Sequence, residues 1–497
     1  MKTICTREQV KNNDSNCIQA GISSLKLMLN AGKALLYAHN YQGKKTLVVS
    51  GGGNNGGDGL VLALLLKEKG VDVKVCLAKS NFTQESVHYY NKCKVAGIEC
   101  FSYSGQSFLG YDIIVDAIFG VGFNGEVKPE MVSVIQEINN SKAFVISADI
   151  PSGLNCNNGL AKTCVKANLT VAINSLKPGY YLNDGKDFCG KIMLAPIGIP
   201  EQEKIGGLVE KADFKELFSP RVYNMHKGTC GYVGILGGSV SFGGAVKLAN
   251  LALSSLKVGA GVVKLAVPQE IANSVSPFLL ESTLKAMPSK NGLLKFNKKA
   301  LKELIGGLKA LSFGMGADNS AENIKIVEYL LTAFKGTLII DADGINALAK
   351  LGAEALKGAT CKVVLTPHVK EFSRLTKKSV QEIIENPVEI AMAFAKEYKV
   401  TLLLKGTSTI VTNGESLFVT DKGCPGMSTA GSGDVLSGVI TGLCGFSNAP
   451  TDWLAIASAY ICGLAGELAQ KNINAYSMTS KDTINYIPQI ISEIIKG

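Results

Sequence analysis

The chain has 497 residues, 46% of them hydrophobic and 19% charged, with a formal net charge of +10. That length exceeds what one hydrophobic core normally spans, so two or three domains are expected; 54 non-periodic glycines exclude a fibre, and 13 cysteines with no C-x-x-C pair or zinc spacing exclude a disulfide framework and point to a reducing cytoplasm. The basic excess is spread thinly, with no basic stripe interleaved with aromatics, which suits a polyanionic small molecule such as a nucleotide and argues against a nucleic-acid partner.

The opening MKTICTREQVKNND lacks an apolar signal core. Strands are predicted at Leu47–Val49, Val73–Leu77, Ile113–Val115, Phe144–Ile146 and Thr170–Ile173, with helical stretches such as Leu60–Lys69 between them. This βαβ alternation predicts an α/β domain whose parallel sheet is covered on both faces. A more charged segment, Pro200–Pro220, sets the boundary between domains at residues 1–210 and 221–497. The alternation then restarts at Tyr232–Leu236, Val262–Val267, Leu311–Phe313, Leu338–Ile340, Val363–Leu365 and Leu402–Leu404. The weakly charged region Val435–Gly466 is broken by Pro450 and Asp452, so it reads as buried helices rather than a membrane span.

A glycine-rich loop, Gly51-Gly52-Gly53-Asn54-Asn55-Gly56-Gly57-Asp58-Gly59, follows the first strand. Gly51, Gly53 and Gly56 fit G-x-G-x-x-G, but a dehydrogenase needs an acidic residue where the next strand ends, and here that strand ends near Lys79. Two amides and a carboxylate on a glycine turn offer hard oxygen ligands beside backbone N–H groups, a setting for phosphate together with a monovalent cation. Two more loops, Asp116–Gly122 and Asp149–Gly153, follow strand ends, so all three should converge on one crevice. Read singly, each loop could be a turn whose Asp and Asn residues cap helices.

A second loop, Ala430-Gly431-Ser432-Gly433-Asp434, opens an apolar stretch. Backbone N–H groups at a helix N-terminus stabilise phosphoryl charge, and Asp434 could take a proton from a substrate hydroxyl. The plain alternative is a helix N-cap with an acidic first turn. No Walker loop occurs. Gly237-Gly238-Ser239, Gly314-Met315-Gly316, Asp341-Ala342-Asp343, Thr366-Pro367-His368 and Lys405–Thr409 each follow a predicted strand, and His368 could be structural or a ligand contact.

GGGNNGGDG, DAIFGVGFNGE, ADIPSG and NSLKPG resemble the NAD(P)H-hydrate epimerase family over roughly residues 1–200. The resemblance implies a Rossmann-like domain with hydrated-cofactor contacts at Asn54, Asn55, Gly56, Gly57 and Asp58. It adds Gly120, Val121, Gly122, Phe123, Asn124, Gly125, Glu126 and Asp149. It implies potassium at Asn55, Asp116 and Ser152, and makes Asp149 the candidate for proton transfer at the epimerised carbon. Lys177 could contact a phosphate or be a solvated lysine.

The second set of loops resembles the ADP/ATP-dependent NAD(P)H-hydrate dehydratase family, of ribokinase-like fold, over roughly residues 221–497. This implies hydrated-cofactor contacts at Ala245, Gly316, His368 and Asp434, and an adenine nucleotide at Lys405, Gly406, Thr407, Ser408, Thr409 and Gly433. Magnesium (Mg2+) would bridge the nucleotide phosphates, with Asp341 and Asp343 as candidate ligands. Three departures stand out: Cys424 where the family usually has Asn, TPHVKE instead of TPHPGE, and Gly316-Ala317-Asp318 instead of G-x-G-x-G.

Together the resemblances imply a homo-oligomeric enzyme that repairs hydrated NADH and NADPH. It would interconvert the R and S hydrates with K+ bound, then dehydrate the S hydrate using ADP or ATP through phosphorylation of the ring hydroxyl and loss of phosphate. Two alternatives stand beside it. One is a vitamin or sugar kinase with an accessory nucleotide-binding domain; the other makes the first domain a binding module without activity.

Overall fold

Short runs of Val, Leu and Ile bounded by glycine or proline become strands in both halves of the chain. The computed structural model describes residues 1–79, 81–218, 220–254 and 259–497, and divides into Lys2–Gly207 and a second unit of Leu208–Gly497 with Met1.

In the first unit seven strands lie parallel in the order Glu99–Ser102, Val73–Leu77, Thr46–Ser50, Ile113–Ala117, Phe144–Ala148, Leu169–Ile173, Lys191–Ala195. Thr46–Ser50 and Ile113–Ala117 are buried at every position, as expected of strands covered on both faces. Chain direction through the sheet reverses between these two strands, so a crevice opens at their carboxyl ends. The helix Asn54–Glu68 rises from that point. Its Gly59 lies so close to the sheet that a Cβ there would sit 2.7 Å from the Ala117 Cβ and 3.0 Å from Val48. Asn54–Gly57, expected as loop, are therefore the first helical turn.

Two helices absent from the sequence reading precede the sheet, Arg7–Gln19 and Ser24–Ala38. Arg7–Gln19 is mostly polar. It starts with a Thr6/Gln9 capping box and docks through Asn13, whose amide exchanges two 2.9 Å hydrogen bonds with the Glu203 backbone.

The second unit repeats the path. Seven parallel strands run Ser282–Met287, Val262–Pro268, Tyr232–Leu236, Ala310–Phe313, Thr337–Ile340, Lys362–Leu365, Thr401–Leu404. Thr409–Thr412 and Leu417–Thr420 extend the sheet antiparallel, giving a mixed α/β unit with a mainly parallel sheet. The order reverses between Tyr232–Leu236 and Ala310–Phe313, again opening a crevice at the carboxyl ends. The region Val435–Gly466 forms parts of two largely buried helices, Ser432–Phe446 and Thr451–Asn472. Among the described residues no helix is long and apolar enough to cross a membrane. All thirteen cysteines are free.

Gly59→Val should cost about 1–3 kcal/mol of stability, because the added side chain must push the helix off the sheet. Urea unfolding checks this; an unchanged midpoint would contradict the close packing.

Candidate functional site

In the first unit, Gly53 precedes the helix without a side-chain cap, leaving the first N–H groups of Asn54–Glu68 open toward the crevice. Thr83 Oγ1 donates to Asn54 Oδ1 at 3.1 Å, and Ser86 Oγ donates to Gly53 O at 2.9 Å, so a neighbouring helix start braces the turn. Asn55 Nδ2 donates to Phe119 O at 3.0 Å, while its Oδ1 is buried without a partner. The Asp116 carboxylate accepts from Ser152 Oγ (2.5 Å), Ser152 N (2.8 Å), Ser147 Oγ (2.9 Å) and Ile118 N (3.3 Å). Burial nonetheless raises its pKa. Phe119 N donates to Ser152 Oγ at 2.9 Å, so Asn55, Asp116 and Ser152 meet around one peptide.

Asp149 follows the strand Phe144–Ala148 with φ +63°, a conformation costly for a non-glycine residue. Three groups hold it there. Lys177 Nζ donates to Asp149 Oδ1 at 2.5 Å, Ile173 N donates to the same oxygen at 3.2 Å, and Tyr180 OH donates to Asp149 O at 2.5 Å. Lys177 is fully buried, which overturns the reading of it as a solvated lysine. Two further carboxyls sense the Asp149 charge. Burial first, then Asp149, pushes Asp14 up to about 6; burial with Asp149 and Asp14 drives Asp58 well above the usual range. Gly120 abuts Asn55, its virtual Cβ lying 3.1 Å from the Asn55 Cβ. Val121, Gly122, Phe123, Asn124, Gly125 and Glu126 continue as a half-exposed to exposed loop. There Phe123 stacks on Phe119, Asn124 accepts from Asn155 at 3.4 Å, and Glu126 pairs with Lys162.

In the second unit, Asp341 is the buried hub. Lys405 Nζ donates to its Oδ1 at 3.0 Å, and Ser437 Oγ donates to its Oδ2 at 2.7 Å. Burial alone would lower the Lys405 pKa, but Asp341 and Glu371 outweigh it and raise it. Gly433 lies against this pair, its virtual Cβ 3.4 Å from Lys405 Nζ. Gly431, at φ +93°, starts the helix Ser432–Phe446 without a side-chain cap, and Asp434 stands half-buried in its first turn. Burial, then Asp341 and Asp343, push Asp434 up to about 7 despite Lys405.

His368 caps its own helix, Val369–Thr376. Its Nδ1 accepts from Lys370 N (3.1 Å) and Glu371 N (3.3 Å), and Glu371 Oε2 accepts from His368 N (2.9 Å). Nδ1 is therefore unprotonated, and burial with Lys405 and Arg374 lowers the His368 pKa. The structural reading of His368 is met by Nδ1, which serves the fold, while Nε2 of the half-exposed ring lies 3.5 Å from Glu371 Oε1. Ala245 and Gly316 touch, a Cβ on Gly316 lying 3.0 Å from that of Ala245. Gly406 and Thr407 are exposed, Ser408 Oγ is buried without a partner, and Thr409 starts a strand opposite Thr420. Asp343 Oδ2 accepts from Asp318 N at 2.8 Å, and burial raises its pKa.

Asp14, Thr83, Ser86, Phe119, Glu371 and Ser437 escaped the sequence reading. Glu371 and Ser437 had a signal, each lying three residues beyond a named site residue in a helix. Asp14 had none.

The model of the NAD(P)H-hydrate dehydratase family matches residues 233–489, and that of the YjeF-related protein N-terminus matches residues 24–179. The bifunctional NAD(P)H-hydrate repair enzyme of Moorella thermoacetica is 32% identical over 95% of this chain and 93% of its own length. This chain belongs to the bifunctional NAD(P)H-hydrate repair enzyme family. The family's Archaeoglobus fulgidus member is 33% identical over 96% of each chain. A solved structure from Streptococcus mutans, of a protein described as hypothetical, is 26% identical with a TM-score of 0.52, covering 58% of this chain and all of that one.

Between about pH 4 and 7 the folded chain keeps a proton on Asp434 that the unfolded chain has lost, so stability falls as pH rises through that window. Asp434→Asn removes this penalty. Its thermal midpoint should exceed that of the parent chain by a few degrees near pH 8 and match it near pH 4. Equal midpoints near pH 8 would contradict the burial argument.

Proposed function

We propose that this chain repairs hydrated NADH and NADPH, the first unit interconverting R and S hydrates and the second dehydrating the S hydrate with ADP or ATP. The observation that carries the reading is Asp434: a carboxyl pushed up to about 7, in the first turn of an uncapped helix, beside the partly buried Lys405. A group of that pKa accepts a proton near neutrality, and the helix N-terminus favours phosphoryl charge.

Asp434 takes the ring-hydroxyl proton as that oxygen attacks the terminal phosphoryl group of the nucleotide. Lys405, kept cationic by Asp341 and Glu371, stabilises the transferring charge. Phosphate then leaves together with a proton from the neighbouring ring carbon, and the double bond returns. Phosphate departs more readily than hydroxide, which explains the use of a nucleotide. Magnesium would travel on the nucleotide phosphates and needs few protein ligands. Asp343, which among the described residues accepts only from the neutral Asp318 N and Asn346 Nδ2, suits it better than Asp341, whose charge is already paired with Lys405.

In the first unit Asp149 moves the proton at the epimerised carbon, oriented by Lys177 and Tyr180. Opening and reclosing the hydrated ring needs an acid as well as a base, and the raised pKa values of Asp14 and Asp58 suit them as donors. The unpartnered Asn55 Oδ1 and the Phe119 carbonyl offer oxygens that would hold potassium, with Ser152 and the hydrogen-bonded Asp116 carboxylate beside them; the ion would supply fixed positive charge near a substrate phosphate. A cytoplasmic setting suits the thirteen free thiols, and a homo-oligomer belongs to the same reading.

Asp434→Asn should lower dehydration at least about 10³-fold and leave epimer exchange intact, while Asp149→Asn should do the reverse. Separate assays of NADH formation from pure S hydrate and of R/S exchange check this. Retained dehydration in the first variant, or retained exchange in the second, would sink the assignment. With the unaltered chain, dehydratase kcat/KM should rise with pH up to a plateau above about 7.

A further inference from the structure

The second unit carries a cavity of about 530 Å³ lined by Asn319, Asn346, Ala349, Lys350 and Arg374. Asn319 follows the strand Ala310–Phe313, Asn346 to Lys350 lie on the helix Asp343–Leu351, and Arg374 lies on Val369–Thr376. The cavity thus lies along two neighbouring helices, with Lys350 and Arg374 in their last turns and Asn319 from the loop of an adjacent strand.

Its charge is unusual. Lys350 Nζ donates to Asn319 Oδ1 at 2.7 Å, and Arg374 Nη1 donates to Asn346 Oδ1 at 2.9 Å. Neutral amides hold both cations in place, although the Arg374 charge also acts on the Glu371 carboxylate of its own helix. Steadied cations with spare donors beside a mostly apolar hollow suit a phosphate that carries an apolar ring system next to it.

The cavity adjoins the Asp434 site at two points. Asn346 Nδ2 donates to Asp343 Oδ1 at 3.4 Å, and the Asp343 charge in turn acts on Asp434. Arg374 is near enough to His368 to act on its charge. Lys405, expected at the nucleotide with Gly433, follows the seventh parallel strand and bridges to His368, while Gly433 opens the helix Ser432–Phe446.

We infer that this cavity receives the pyrophosphate and adenosine half of the hydrated dinucleotide, with Arg374 and Lys350 on its phosphate oxygens. The inference rests on the repair reading and deepens it: the ring end lies by Ala245, Gly316, His368 and Asp434, and the phosphate-bearing tail runs outward past Asp343. Remote binding of this kind anchors a substrate without taking part in the chemistry.

The test uses the full chain with Arg374→Ala, Arg374→Lys and Lys350→Ala. Dehydratase KM and kcat are measured with the S hydrates of NADH and NADPH, and with the hydrate of reduced nicotinamide mononucleotide, which lacks the adenylate half. Each alanine variant should raise KM for the dinucleotide hydrates about tenfold, with kcat and the KM for ADP within about twofold of the parent values. Arg374→Lys should recover part of the loss. The mononucleotide hydrate should be turned over alike by all forms. Unchanged KM for the dinucleotide hydrates would overturn the inference, as would equal losses on the mononucleotide hydrate. A rise confined to the KM for ADP would also overturn it and give the cavity to the phosphoryl donor. Failure of the repair reading looks different: the parent chain itself would be inert toward every hydrate.

Discussion

Each unit turns one lysine inward against an aspartate at the carboxyl edge of its sheet, and the reactive loops hang on those two ion pairs. Lys177 meets Asp149 at 2.5 Å with side chains 0% and 10% exposed, and Lys405 meets Asp341 at 3.0 Å with 23% and 2%. A buried charge is tolerable only when paired, and removing one partner of such a pair costs about 3–5 kcal/mol. The pairs are therefore close to all-or-none constraints. The first ties the loop after Phe144–Ala148 to the loop after its neighbour Leu169–Ile173. The second spans wider, from the end of Thr337–Ile340 to the end of Thr401–Leu404, with Lys362–Leu365 between them.

What the pairs leave unsatisfied is as informative as what they bind. Asn55 Oδ1 and Ser408 Oγ are buried without partners, although such groups ordinarily find one. Asp434 sits in surroundings that disfavour its charge. Asp149 and Ala342 both adopt positive φ, each at the first or second residue past a strand. Several of these departures from local consistency fall in the two crevices, as expected where folding stability yields to ligand binding, although Thr46 Oγ1 and Ser312 Oγ are also buried without partners within strands.

Much of this was legible in the sequence. Central strands such as Val73–Leu77 and Tyr232–Leu236 were readable to the residue, because strands covered on both faces are mostly apolar, here interrupted only by Lys74 and the exposed Tyr232 at a strand start. Edge strands were not: Glu99–Ser102 and Ser282–Met287 have one neighbour each and half-exposed, mixed side chains. Arg7–Gln19 lacks an apolar stripe, since it docks through an amide. The aspartates and glycines of both sites showed themselves through loops at strand ends. Lys177 did not, because nothing local distinguishes a buried lysine from a solvated one. Asp14 reaches the site only through tertiary packing.

The central claim is that two sites in one chain act in turn on the same damaged cofactor. The most direct measurement supplies mixed R and S NADH hydrates with magnesium and potassium, with ADP, ATP or neither, and follows absorbance at the wavelength of reduced nicotinamide. The account requires nucleotide-dependent recovery of NADH that consumes both epimers, faster than they exchange unaided. Recovery that stops at the S fraction would contradict the role of the first unit. No recovery with either nucleotide would contradict the account as a whole.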